Sequence, residues 1–221
     1  MLDDLPGGIA YSFGIAQNVS WDRDMASRGY DVFMYDHTIS RLPESNPRFH
    51  WSRLGLSDGS SQDDRLRTLE ELITANGHKD RRDMILKIDV EGAEWGFLET
   101  VRPETLAKFS QITFELHGMI NPAQPSKTLN ALRKLNATHQ LIHLHPNNNA
   151  SCITVGGKIF CNTLEASYVL RENHSFVQDY DVSLPLEVDM PDAKPLPDIE
   201  LGQWNIKAEC GERIIVSARA I

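Results

Sequence analysis

Apolar and polar residues alternate along the chain in blocks that switch between a two-residue and a helical period. Ile9 to Ala16 (IAYSFGIA) predicts a first strand, followed by a helix over Trp21 to Arg28 that Gly29 ends. Asp31 to Tyr35 (DVFMY) predicts a second strand, completing one βαβ unit. Phe49 to Leu56 reads as a third strand, closed by the turn Ser57-Asp58-Gly59-Ser60. Leu66, Leu69, Leu72 and Ile73 then recur at helical spacing, with Gly77 as the stop. Met84 to Val90 (MILKIDV) is apolar enough for a central strand, and Pro103 divides the helical stretch Ala93 to Phe109 into two short helices. Gln111 to Leu116 (QITFEL), a helix from about Ser126 with Leu129, Leu132 and Leu135 on one stripe, Leu141 to His145 and Leu164 to Leu170 complete the pattern. Alternating strands and helices predict an α/β fold on an open, mostly parallel sheet.

Beyond Asp179 the composition turns to proline and acid, with Pro185, Pro191, Pro195 and Pro197. This predicts one domain over residues 1–179 and an extended C-terminal arm over 180–221, docked at Trp204 and Ile206. With 41% hydrophobic residues in 221, the chain can bury a sizeable core. Its net charge of -9 repels phosphate backbones, which argues against a nucleic-acid substrate. No apolar run approaches the roughly 20 residues of a membrane span, and the start MLDDLPGG lacks the marks of a signal peptide, so the expectation is a soluble cytoplasmic protein. Cys152, Cys161 and Cys210 form no C-x-x-C pair and read as free thiols, and the N-x-S/T triplets at Asn18, Asn136, Asn149 and Asn173 read as chance matches.

In an open α/β sheet a ligand lies outside the carboxyl ends of the strands. The polar residues expected there are Gly14 to Asn18, then Asp36, His37 and Thr38, then Ser57 and Asp58, then Asp89 and Glu91, and finally Glu115, His117, His145, Asn147 and Asn148. The turn SFGIAQN has one glycine and lacks the G-x-G-x-x-G fingerprint that cradles a pyrophosphate, so a cofactor without phosphates suits it better. Asp36 stands at the position from which a carboxylate takes ribose hydroxyls, the alternative being a cap on the following turn. In LKIDVEGAEW, Asp89 and Glu91 emerge at a strand end and Gly92 makes the turn, while Glu94 reads as a helix N-terminal residue favoured by the dipole.

LKIDVEGAEW resembles the K-I-D-V-E-G-A-E signature of FkbM-type methyltransferases, and YSFGIAQNVSWDRDMASRGYDVFMYDHT is similar to the first cofactor-binding unit of related methyltransferase-like proteins. The resemblance covers approximately residues 9 to 170. It implies a Rossmann-like class I fold with a seven-stranded, mostly parallel sheet of order 3-2-1-4-5-7-6, helices on both faces and the last strand antiparallel. It also implies S-adenosylmethionine as cofactor. Phe13, Gly14, Ile15 and Asn18 would then lie along the methionine part, Asp36, His37 and Thr38 at the ribose, Ser57 and Asp58 near adenine, and Asp89, Val90 and Glu91 beside the methyl-transfer site.

Methyl transfer to a hydroxyl needs the acceptor positioned and its proton removed. His117 and His145 are the expected bases, with Glu115 or Asp89 orienting them. A divalent metal held by His143, His145 and Glu115 or His117 is the less favoured alternative to metal-free transfer. The expected acceptor is a small polar molecule such as a sugar or glycan precursor. Against this stand a catalytically silent cofactor-binding partner module and, disfavoured by the glycine pattern, a nicotinamide-dependent oxidoreductase. Thin cover over the amino-terminal side of the sheet makes a homodimer a reasonable assembly.

Overall fold

A computed structural model describes residues 7–120, 122–176, 180–208 and 214–217, with backbone alone at 180, 204–208 and 214–217. Along the chain run β1 (Ile9–Phe13), α1 (Ser20–Ser27), β2 (Asp31–Tyr35), β3 (Phe49–Ser52), β4 (Gly55–Leu56), β5 (Leu66–Arg67), α2 (Leu69–Ala75), β6 (Met84–Ile88), α3 (Glu94–Thr100), α4 (Pro103–Leu106) and β7 (Phe109–Leu116). Then follow α5 (Pro125–Thr138), β8 (His139–Pro146), β9 (Cys152–Val155), β10 (Lys158–Cys161), β11 (Leu164–Leu170), β12 (Tyr180–Leu184), β13 (Gly202–Ala208) and β14 (Ile214–Ser217).

Seven strands form one sheet in the order β3-β2-β1-β6-β7-β11-β8. Neighbours from β3 to β7 are parallel, whereas β11 runs antiparallel to both β7 and β8, so the sheet is mixed. Successive residues of a strand face opposite sides, and the two sides here have different cover. Tyr11, Phe13, Leu86, Ile88, Ile112 and Phe114 pack with residues of α2 to α5 in the larger core. Ala10, Val32, Met34 and Ile85 face the other way, against Met25 and Ala26 of α1.

The expected third strand divides, because β4 leaves the main sheet to pair with β5. A Cβ on Gly55 would overlap the His37 ring, so glycine lets that ring lie against β4. Leu66, expected in a helix, sits in β5; α2 starts only after Thr68, whose hydroxyl accepts from the Glu71 amide while the Glu71 carboxylate accepts from the Thr68 amide at 2.8 Å. This reciprocal cap satisfies two amides that the first helical turn leaves unpaired. Pro103 opens α4, as the division of that segment predicted.

The C-terminal segment contains regular structure where an extended arm was expected: β12, β13 and β14 form a three-stranded antiparallel sheet. All four prolines fall in the connection between β12 and β13, where no ladder amide is needed. That connection docks on the sheet edge through Asn148, whose side chain donates to the carbonyls of Ala193, Leu196 and Pro197 and accepts from the Ala193 amide. The side chains of Trp204 and Ile206, expected to anchor the arm, lie outside the described residues.

Candidate active site

Strand order reverses between β1 and β6, and the backbone there is tightly interlocked. The Gly14 amide donates to the Tyr35 carbonyl at 3.1 Å and the Asp89 amide to the Phe13 carbonyl at 3.1 Å. Gly14 has φ +78°, and an added Cβ would overlap the Asp89 carbonyl oxygen. Lys87 ties the same point from the sheet face: its Nζ donates to the Gly14 carbonyl at 3.1 Å and stands 3.6 Å from Asp89 Oδ2.

Register sets the next row. Glu115 on β7 faces Glu165 on β11, which faces His145 on β8. His117 lies two residues past Glu115 and is held from two sides. Its amide donates to Glu94 Oε1 at 2.7 Å, and its Nδ1 lies 3.2 Å from the same oxygen. Glu94 is fully buried and its other oxygen accepts from the Gly92 amide at 2.8 Å. The His117 carbonyl accepts from Trp95 Nε1 at 2.8 Å. With Nδ1 occupied, the ring directs Nε2 outward, 3.7 Å from Glu115 Oε2 and 3.4 Å from Glu91 Oε2. Asn147 Nδ2 donates to Glu115 Oε1 at 2.7 Å and leaves Oε2 facing the imidazole.

These surroundings shift both groups. Burial first, then Asp89, pushes the Glu115 carboxyl up to about 7, against the opposing pull of Asn147 and His117. The hydrogen bond to Glu94, aided by the charges of Glu94, Glu115 and Glu91, outweighs burial and lifts His117 to about 9. At neutral pH His117 is therefore a cation, and Glu115 is the group poised to exchange a proton. Asp89, Glu115 and His117 each offer a ligand atom, all within 4.8 Å of one another, so they could also share a divalent cation.

Several expected site residues have other work. Phe13 is fully buried, stacked on Tyr35 at 5.0 Å, and Ile15 is buried in the α1 core, so their side chains cannot line a cofactor. Asn18 Oδ1 accepts from the Ser20 amide at the start of α1. Asp36 is turned inward: Oδ2 accepts from the Ile15 and Ala16 amides at 3.0 and 2.8 Å, and Oδ1 from the Thr38 amide and hydroxyl at 2.8 and 2.6 Å. Burial raises its pKa, but these four bonds outweigh burial and hold the carboxyl below its ordinary value. They also use its lone pairs, so Asp36 braces the turn after β1 here, the capping alternative to the ribose role. Asp36→Ala should therefore lower the melting temperature without any cofactor, by about 1–3 kcal/mol of stability. A variant that melts normally and loses only cofactor affinity would return Asp36 to the ribose.

His145, expected as a base, is held away from Glu115. It is buried, with Nε2 3.1 Å from both Asp198 oxygens and Nδ1 3.6 Å from Glu165. Glu165 on β11 separates it from Glu115, and Asp198 holds it to the connection between β12 and β13, so it clamps that connection. Its neighbour His143 contacts Asp189 of the same connection at 2.9 Å. Burial lowers the His145 pKa, but Asp198 and Glu165 outweigh it and raise it overall. The clamp is fully formed below the unfolded imidazole value of about 6.5 and is lost as pH rises through the higher folded value. Amide-exchange protection of residues 185–201, corrected for intrinsic rates, should fall over that range and stay flat in His145→Gln.

Ser57 Oγ accepts from the Gly59 amide, and Asp58 binds the Ser60 amide and hydroxyl. The absent side chain of Gly96 leaves room for Asp58 beside α3. Val90 packs on the larger core, and Glu91, with φ +53°, is exposed at the rim. A cavity of about 520 Å³ joins Asp58, Gly92, Trp95, His117, Gly118 and Lys127. A larger one, about 1020 Å³, runs from Gln17 and Thr38 to Trp51 and touches none of the titratable cluster, whereas the smaller is lined by His117. Sequence reasoning missed Glu94 as the group that holds His117; the second glutamate of VEGAE was visible, but its burial beneath residue 117 depends on β7.

Among the described residues no helix is long and apolar enough to cross a membrane. No curated protein matches the chain. Solved structures similar to it include a putative hemolysin from Streptococcus thermophilus (15% identity over 73% of this chain and 58% of that one, TM-score 0.35). A putative methyltransferase of an antibiotic biosynthesis pathway from Anabaena variabilis (11%, 63% and 60%, 0.35) and an S-adenosylmethionine-dependent methyltransferase from Agrobacterium tumefaciens (10%, 75% and 56%, 0.34) are similar too. The chain spans about three fifths of the length of the first two, and at these values the likenesses speak to neither activity nor substrate. A family profile describing the methyltransferase FkbM domain matches residues 24–150, more than half of the sequence and inclusive of Asp36, LKIDVEGAEW, Glu115 and His117. The chain belongs to the FkbM methyltransferase domain family.

Proposed function

We propose that the chain transfers a methyl group from S-adenosylmethionine to a hydroxyl of a small polar acceptor such as a sugar or glycan precursor. The observation that carries this reading is the Glu115–His117 pair at the strand ends, a proton acceptor near neutrality facing a fixed cation. The cofactor supplies an electrophilic methyl beside a positive sulfur, and Asp89 and Glu91 give this edge the opposite charge. The turn 14–18, Thr38, Ser57, Asp58 and the 89–91 stretch would hold it. With Asp36 occupied by the Ile15 and Ala16 amides and by Thr38, the ribose would fall to other groups; the exposed polar side chains beside the larger cavity include Gln17, Ser40 and Arg41.

On the acceptor side, Glu115 Oε2 takes the hydroxyl proton as the oxygen attacks. Protonated His117 keeps a positive charge beside the developing negative oxygen. Trp95 and the 117–118 loop line the cavity that the acceptor enters. A second reading, a divalent cation shared by Asp89, Glu115 and His117, is favoured by their convergence within 4.8 Å.

A pH–rate profile tests the first reading. The pair should titrate as a unit, with kcat/KM rising through about 7 as Glu115 loses its proton and falling through about 9 as His117 loses its own. A profile flat from pH 6 to 10 excludes the pair. Activity abolished by a chelator and restored by manganese would select the cation reading.

A further inference from the structure

The β9–β10 hairpin joins β8 to β11 at the same edge of the sheet as the candidate site. Its outer face is apolar and uncovered: Ile153, Val155 and Phe160 are 44, 56 and 48% exposed. A two-stranded hairpin without a packed face is marginal in water. Its other face brings Cys152 opposite Cys161 as direct antiparallel partners. Direct partners have Cα atoms about 4.5 or 5.5 Å apart, within the roughly 4.4–6.8 Å that a disulfide spans. The two sulfurs lie 2.6 Å apart, closer than the contact distance of unbonded sulfur atoms.

We propose that Cys152 and Cys161 form a disulfide that closes this hairpin and braces the loop carrying His117. The link to the loop is short. Next to the cysteine pair, the Asn162 amide donates to the Ser151 carbonyl at 2.8 Å, and the Asn162 carbonyl accepts from the Met119 amide at 3.0 Å. One residue further, Thr163 accepts from the amide of Asn147, the residue that holds Glu115.

The chemistry needs a disulfide oxidant, such as glutathione disulfide. The exposed Cys152 thiolate attacks it and expels one glutathione thiolate. Cys161 then gives up its proton, attacks the Cys152 sulfur and expels the second; the two thiol protons end on the two released glutathiones. Reversal through the exposed sulfur must expel Cys161, whose burial disfavours its thiolate. Bonds of this kind persist in oxidising compartments, which runs against the cytoplasmic and free-thiol expectations.

The test equilibrates the protein with a glutathione and glutathione disulfide mixture, alkylates free thiols and digests with trypsin without reduction. Cleavage after Lys134, Lys158 and Arg171 places the two cysteines on separate peptides, residues 135–158 and 159–171. The expected result is one species two hydrogens lighter than their sum, which a reductant splits. Separate alkylated peptides, or Cys152 carrying glutathione or Cys210, would overturn the proposal. Amide exchange at Met119 should quicken on reduction; unchanged protection would detach the brace from the bond.

Discussion

Glu115→Gln is expected to lower turnover by about 10²- to 10⁴-fold, the usual contribution of a positioned proton acceptor, while cofactor affinity holds. The amide keeps the shape of the carboxylate and an oxygen for Asn147, which donates to Oε1 in the unaltered chain. It cannot take a proton from an acceptor hydroxyl. Removing one negative charge beside Asp89 also relieves the crowding that raises Glu115, so the fold should be no less stable. The readouts are kcat with any hydroxylated acceptor that the unaltered chain methylates, and the melting temperature. Full turnover would remove Glu115 from proton transfer, and a collapsed melting temperature would mean that the residue is needed for structure.

Gly14→Ala should damage the molecule at the crossover itself. The backbone there has φ +78°, where alanine is strained by about 1–3 kcal/mol. The new Cβ would also overlap the Asp89 carbonyl oxygen, so β1 and β6 must separate where the cofactor is proposed to bind. For a chain of this size the strain alone corresponds to a fall of about 2–12 °C in melting temperature. Cofactor affinity should fall with it. An unchanged melting temperature would show that the turn relaxes freely.

The sheet was legible because its strands carry their own pattern. MILKIDV and DVFMY are apolar on both faces, and both are covered on both faces in the fold, while the segment 164–170 reads as a strand and is one without adjustment. The hairpin β9–β10 was not legible, because CITV and KIFC are short and lie apolar side outward. The C-terminal strands were hidden by prolines that sit between them and not within them.

In the site, strand-end position picked out Asp89, Glu115 and His117 together. It could not tell which polar side chains turn away. Asp36 and His145 occupy equivalent strand-end positions, yet one is occupied by the Ile15 and Ala16 amides, 21 and 20 residues earlier, and by Thr38, and the other by Asp198, which lies 53 residues later. Periodicity carries no information about partners so distant. Nor did it reveal that Glu94, on the helix after β6, holds the imidazole that follows β7.

Titration calorimetry with S-adenosylhomocysteine tests the central claim most directly. One-site binding is expected for the unaltered chain, weakened in Gly14→Ala, retained in Glu115→Gln, and matched by no heat from NAD. No binding of S-adenosylhomocysteine, or binding of NAD in its place, would contradict it.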